Sequence, residues 1–170
     1  MEMKPCSIED IPALLKVSNQ SYLENYRYLW HDNGEHYIAD NFNSKSFELQ
    51  LKDKNVALFL ALEDDQPVGF LKLNIDSGYA DHNGSDTLEL ERIYLIRSAS
   101  GRGLGKKVFD FVSTFAQKKD KKCIWLKCMD SGNALKFYKR EGYDIIAPWR
   151  LNLPFVKDEF RGMHVMMKKF

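Results

Sequence analysis

Cysteine is scarce in this chain of 170 residues: Cys6, Cys123 and Cys128 are too few, and odd in number, for a disulfide framework. Reduced thiols and a cytoplasmic setting are therefore expected. No histidine stands near Cys123 or Cys128 at zinc-ligand spacing, and His31, His36, His82 and His164 are scattered, so no metal is expected. Long apolar runs are missing. The longest, Val56 to Leu62, falls far short of the ~18 residues of a membrane helix. Met1 to Cys6 opens without an apolar stretch, so no secretory signal is read there. Charge of one sign is missing too: 25 Lys and Arg meet 24 Asp and Glu, for a net charge of +1. That removes the general electrostatic argument for a nucleic-acid partner. No repeat, low-complexity tract or Pro/Gly/Ser linker divides the chain.

What is present suits a single core. Hydrophobic residues make up 44% of the chain and aromatics 13%, which argues against disorder. The length fits one domain spanning 1–170, since domains usually run ~100–200 residues.

The pattern predicts mixed α/β structure. Met3 to Cys6 reads as a short strand, and Ser7-Ile8-Glu9-Asp10 as an N-cap with first-turn acids. Ile11, Leu14, Leu15, Ser18 and Tyr22 then recur at helical spacing, with Pro12 near the helix start. Tyr26 to Phe42 is aromatic-rich and broken at Asn33-Gly34; two shorter helices are expected, the second around Ser46 to Leu51. Val56 to Leu62 and Val68 to Ile75, joined by Asp64-Asp65-Gln66-Pro67, form a hairpin. Ser77 to Asp86 is a polar loop, and Thr87 to Leu95 a third long strand. Gly103 to Lys118 is a helix with Leu104, Val108, Phe111, Val112 and Phe115 on one stripe. Cys123 to Met129 is a strand, Asn133 to Glu141 a helix stopped by Gly142, and Tyr143 to Ala147 and His164 to Phe170 close the chain as strands. Thr87 to Met129 should be a parallel strand–helix–strand crossover. The exposed C-terminal strands leave a pairing of two copies open. Lys118-Lys119-Asp120-Lys121-Lys122 reads as compensation of a helix C-terminus.

Ser100-Gly101-Arg102-Gly103-Leu104-Gly105-Lys106 is the sharpest local feature. Alternate glycines between a strand and a helix let a ligand approach closely, and free amides at the helix start favour an anion such as pyrophosphate. Arg102, Lys106 and Lys107 add positive charge. A P-loop would need Gly at 100 and Ser or Thr at 107, where Ser100 and Lys107 stand. The dinucleotide fingerprint would need Gly at 106 and an acid about 20 residues on, where Lys121-Lys122 stand.

These residues resemble the GNAT superfamily of N-acetyltransferases. Its motif Gln/Arg-x-x-Gly-x-Gly/Ala corresponds to Ser100-Gly101-Arg102-Gly103-Leu104-Gly105, after the strand Leu88 to Leu95. A second motif, Asn-x-x-Ala-x-x-Phe-Tyr-x-x-x-Gly-Phe/Tyr, corresponds to the segment Ser131 to Tyr143, with Phe137-Tyr138 and Gly142-Tyr143 matched. Leu88 to Leu95 and Ile124-Trp125-Leu126 are most similar to bacterial spermidine/spermine acetyltransferases of the Pai type. The resemblance implies a GNAT-like, mostly antiparallel sheet with one parallel crossover and helices on both faces. It implies one acetyl-CoA-binding domain that transfers an acetyl group directly to a primary amine, a polyamine such as spermidine being the narrower expectation. Ser100 and Ser131 replace side chains that the family often uses near the cofactor. They favour the rival reading of a non-catalytic acetyl-CoA-binding module; peptide or protein N-acetylation is a third reading.

Site residues follow from the resemblance. Glu89 matches the family's base, with Glu91 on the same strand face as the reserve. Tyr138 matches the general acid. The backbone of Ile93, Tyr94 and Leu95 is expected to pair with the pantetheine arm, with an amide there polarising the thioester carbonyl. Ser100, Gly101, Arg102, Gly103, Leu104, Gly105 and Lys106 would hold the pyrophosphate, with Ser131 and Asn133 nearby. Tyr22, Tyr26, Tyr28 and Trp30 would line the acceptor site, and Glu24, Asp32 and Glu35 would attract a cation. Neither a metal, a nucleic acid nor a membrane is implied.

Overall fold

A computed structural model describes residues 1–99 and 101–170; Ser100 lies outside them. Among the described residues the chain forms β1 (Glu2–Pro5), α1 (Ile11–Tyr26), α2 (Glu35–Asn41), α3 (Ser44–Lys52), β2 (Val56–Glu63), β3 (Gln66–Asn74), β4 (Thr87–Leu95), α4 (Leu104–Lys118), β5 (Cys123–Met129), α5 (Asn133–Arg140), β6 (Asp144–Arg150) and β7 (Gly162–Lys169). The seven strands make one sheet in the order β1-β2-β3-β4-β5-β7-β6. Only β4 and β5 pair in parallel, as a strand–helix–strand unit requires. No helix among the described residues is long and apolar enough to cross a membrane.

The continuous apolar run of β2 reflects burial on both faces. Leu58 and Leu60 turn toward α1 and α3, where they meet Leu14, Phe47 and Phe70. Phe59, between them, turns to the other face and packs with Leu71, Leu88, Val108, Val112 and Ile124 beneath α4. The sheet therefore divides two cores, with helices on both sides.

Local chemistry sets the element ends. Asp10 accepts hydrogen bonds from the Ser7 amide at 2.9 Å, the Ser7 hydroxyl at 3.0 Å and Lys4 Nζ at 2.6 Å. A single 3-10 turn (Ile8–Asp10) precedes α1, and Pro12 then falls in the helix's first turn, where no amide is needed. Asp64 and Asp65, at φ +49° and +60°, make the tight β2–β3 hairpin. Pro67 is tolerated in β3 because the register shifts beside it, between Ala61 and Leu62.

Three expectations need correction. On α4 the buried stripe includes Phe109 and Ala116. Phe111 and Phe115 are half-buried and stand edge-on to Phe59 at 4.9 and 5.5 Å. The lysine run is more than dipole compensation: the Lys121 side chain is only 3% exposed. It bonds Asp76 and the carbonyls of Ser85, at 2.8 Å, and Gly84, at 3.3 Å, tying the 76–86 loop to the end of α4. The last strand begins at Gly162, earlier than the predicted His164.

Candidate active site

β4 is irregular at its centre. Lys72 pairs with Arg92 and Leu73 with Leu90, so Glu91 is an extra residue, a β-bulge. A bulge bends its strand and increases the local twist. Pairing of β4 with β5 covers Thr87, Leu88 and Glu89. Beyond Glu89 the two strands part, and a cavity of about 550 Å³ opens between them. Its walls come from β4 (Leu90 to Tyr94), β5 (Leu126 to Met129), the start of α5, and aromatic residues of α1, α2 and the turn between them.

The parting leaves backbone groups exposed. The Ile96 amide bonds the Val68 carbonyl at 2.9 Å. By antiparallel alternation Tyr94 and Arg92 then direct their amides and carbonyls to β3, and Ile93 and Leu95 direct theirs to the β5 side. The Leu95 carbonyl is taken by Asn25 Nδ2 at 2.9 Å. Of the three residues expected to pair with a pantetheine arm, Ile93 thus has backbone groups directed to the opening. Tyr94 instead contributes its side chain to the cavity wall.

Asn74 Nδ2 lies 2.8 Å from both Glu89 Oε2 and Glu91 Oε2, so the two carboxylates share one sheet face. Their settings differ. Glu89 is 8% exposed, accepts from the Ser77 hydroxyl at 3.0 Å, lies 3.6 Å from Lys127 Nζ, and is not among the residues lining the cavity. Glu91 does line it, and is 2.6 Å from Lys72 Nζ and 3.3 Å from Arg92 Nε. Burial pushes the Glu91 carboxyl up, but Lys72, Arg92 and Asn74 outweigh it and hold the group below the usual carboxylate range. Glu91 is therefore ionised at neutral pH, and its strength as a base is limited.

Tyr138 and Cys128 meet the cavity from the other side. Tyr138 packs against Phe109 at 5.5 Å. Burial raises its hydroxyl well above the usual tyrosine range, with Tyr26, Cys128 and Tyr143 acting in the same direction. The hydroxyl thus stays protonated, as a proton donor must. Burial also pushes the Cys128 thiol up to about 11, which leaves very little thiolate near neutral pH and argues against an acyl-cysteine intermediate.

The glycine turn stands at the head of α4. Gly103 caps the helix at φ +75° with no side-chain hydrogen bond, so the first amides keep no capping partner. A Cβ at Gly101 or Gly103 would meet nothing within 4 Å, which leaves that surface open to a ligand. At Gly105 a Cβ would come 3.3 Å from the Phe137 ring. That close approach joins the first turn of α4 to α5, whose first residue Asn133 lines the cavity with Ser131, although none of Gly101 to Lys106 does. Arg102 pairs with Glu63 at 2.6 Å and Lys106 with Asp110 at 3.0 Å. Such exposed pairs are weak, so both cations can exchange their partners for a phosphate. Open glycine backbone, uncapped amides and an adjoining cavity together fit a nucleotide-tailed thioester.

Tyr22, Tyr26, Tyr28 and Trp30 line the other half of the cavity, together with Tyr37. The three acids expected beside them do not. Glu24 accepts from the Arg97 amide at 2.6 Å, Asp32 caps the start of α2 through the Gly34 and His36 amides, and Glu35 lies outside the lining. Sequence reasoning passed over Arg92, Lys127 and the stretch from Trp149 to Leu153, all of which line the cavity. Arg92 and Lys127 carry a local signal, each as a charge on a largely buried strand. The β6–β7 segment reaches the site through sheet order alone.

The profile of the Acetyltransferase (GNAT) family matches residues 18–143, so the chain belongs to that family. It is an acetyl-CoA-dependent N-acetyltransferase of the GNAT type. An N-acetyltransferase of Lactobacillus delbrueckii subsp. lactis, itself uncharacterised and encoded in the pepI 3′ region, is 26% identical over 141 residues, covering 80% of each chain. PaiA N-acetyltransferase from Thermoplasma acidophilum, solved in complex with coenzyme A, superposes with a TM-score of 0.79 at 19% identity, over 99% of this chain and 98% of that one. Ribosomal-protein-alanine N-acetyltransferase from Brucella melitensis gives a TM-score of 0.67 at 17% identity, with each chain covered completely. At those identities the two structures speak for the fold.

Proposed function

We propose that this chain, acting as one domain over residues 1–170, transfers an acetyl group directly from acetyl-CoA to a primary amine. The observation that carries this reading is the cavity beside the Glu91 bulge, which Tyr138, Ser131 and Asn133 line together with an aromatic group from α1, α2 and the turn between them. In this reading the α4 amides and Gly101 to Lys106 hold the pyrophosphate, with Ser131 and Asn133 beside it, and the Ile93 backbone pairs with the pantetheine arm. A free amine attacks the thioester carbonyl, forming the amide bond as the C–S bond breaks. Tyr138 gives its proton to the departing thiolate. Glu91, the one carboxylate among the described lining residues, receives the amine's proton through water. Glu89, bound to the same Asn74, holds that network in position. A cytoplasmic setting is part of this reading and rests on the scarcity of cysteine in the sequence.

The narrower expectation, a polyamine acceptor as in Pai-type enzymes, draws support from sequence resemblance and from the PaiA fold likeness. The cavity's charge speaks against it, since one lining carboxylate faces Arg92, Lys127 and Arg150. A thiol-release assay with acetyl-CoA and a panel of primary amines, spermidine included, tests the proposal. CoASH release with at least one amine, slowed in Glu91→Gln, is expected. Acetyl-CoA binding without release from any amine would make the chain a non-catalytic binding module.

A further inference from the structure

Arg92 lines the cavity with its charge incompletely answered. Its side chain is 10% exposed. Nη2 donates to Asn41 Oδ1 at 2.7 Å, Nε lies 3.3 Å from Glu91 Oε1, and the guanidinium stands 5.6 Å over the Phe42 ring. These contacts fix its orientation. Nη1 is buried and has no hydrogen-bond partner, an expensive state for a cationic donor. We propose that Nη1 awaits the substrate, and that the acceptor is an amine carrying its own carboxylate, the amino-acid class.

The surrounding charges support this. Glu91 is shared between Arg92 and Lys72, and Glu89 faces Lys127. Two carboxylates thus meet three cations, and the surplus positive charge lies beside the cavity. A guanidinium matches a carboxylate in geometry and charge, and such charge-assisted bonds are the strong ones. A polycation would bring more positive charge into the same space. The partly exposed rings of Tyr26, Tyr28 and Tyr37 that line the cavity then suit an apolar or aromatic side chain on the same acceptor.

The inference rests on the acetyl-transfer reading of this cavity, yet its test does not depend on turnover. Calorimetric binding to the full chain saturated with CoA compares phenylalanine with 2-phenylethylamine, leucine with 3-methylbutylamine, and both pairs with spermidine. Each amino acid is expected to bind about tenfold or more tightly than its decarboxylated partner. That gap should collapse in Arg92→Gln and survive in part in Arg92→Lys. Equal or tighter binding of the bare amines or of spermidine would overturn the inference, as would a gap that persists in Arg92→Gln. The comparison on the unaltered chain decides the matter even where Arg92→Gln fails to fold. If CoASH release fails with every amine, the catalytic reading falls; if the binding order reverses, only the carboxylate falls.

Discussion

Glu89 and Glu91 illustrate what single residues disclose. Their two-residue spacing in a strand predicts a shared face, and both accept from Asn74. Which of them meets the cavity depends on the pairing of β4 with β5, because Glu89 still pairs with Trp125 whereas Glu91 lies beyond, where the strands part. Nothing in Leu88-Glu89-Leu90-Glu91-Arg92 marks a bulge, since its cause is the mismatch of β4 against β3. Tyr138 was singled out by its motif, and the structure adds a physical setting: a buried hydroxyl that burial keeps protonated. Tyr138→Phe removes the proton donor and keeps the packing against Phe109. It is expected to lower kcat by about a hundredfold or more while the KM for acetyl-CoA changes little, as steady-state kinetics would show. An unchanged kcat would assign the leaving group's proton to solvent.

Among the elements, the first helix is the most readable. Residue types alone mark Ser7 as an N-cap and Glu9 and Asp10 as first-turn acids; in the structure they cap a 3-10 turn that leads into α1, and Asp10 gathers Ser7 and Lys4 around one carboxylate. Asp10→Ala should cost about 1–2 kcal/mol at neutral pH, measured by urea unfolding. The Lys4 hydrogen bond holds the Asp10 carboxyl below its usual range, against the opposing effect of burial. Its contribution is therefore full above the unfolded carboxyl's titration and is lost as pH falls through the folded one. The difference between wild type and Asp10→Ala should shrink toward pH 3; an equal difference at both pH values would contradict the ion-pair argument. Helix α4 is less readable: its 3.6-residue period is clear, but the stripe read from it holds Phe111 and Phe115, whereas the enclosed aromatic is Phe109. Only the position of Phe59 and of α5 decides which aromatic is fully enclosed.

For the whole molecule, strands β2 to β5 contribute to cores on both faces of the sheet, so neither core can open without exposing the other. Urea unfolding is expected to show one transition by both fluorescence and circular dichroism. Acetyl-CoA at about 100 times its Kd should raise Tm by roughly 5–10 °C; a Tm unmoved by acetyl-CoA would refute binding at the glycine turn. The glycine spacing, the helix period and the hairpin are local patterns from which an α/β fold with an anion-binding turn can be read, and the resemblance of the two motifs to the GNAT family implies the acetyltransferase. The cavity belongs to no segment. It exists because β4 bulges against β3 and leaves β5 beyond Glu89. Arg92, Tyr138 and Trp149, far apart along the chain, meet there because the sheet order brings their elements together. The acceptor's chemistry is set by what remains unpaired when those elements pack, and pairing across a sheet is a property of the folded molecule.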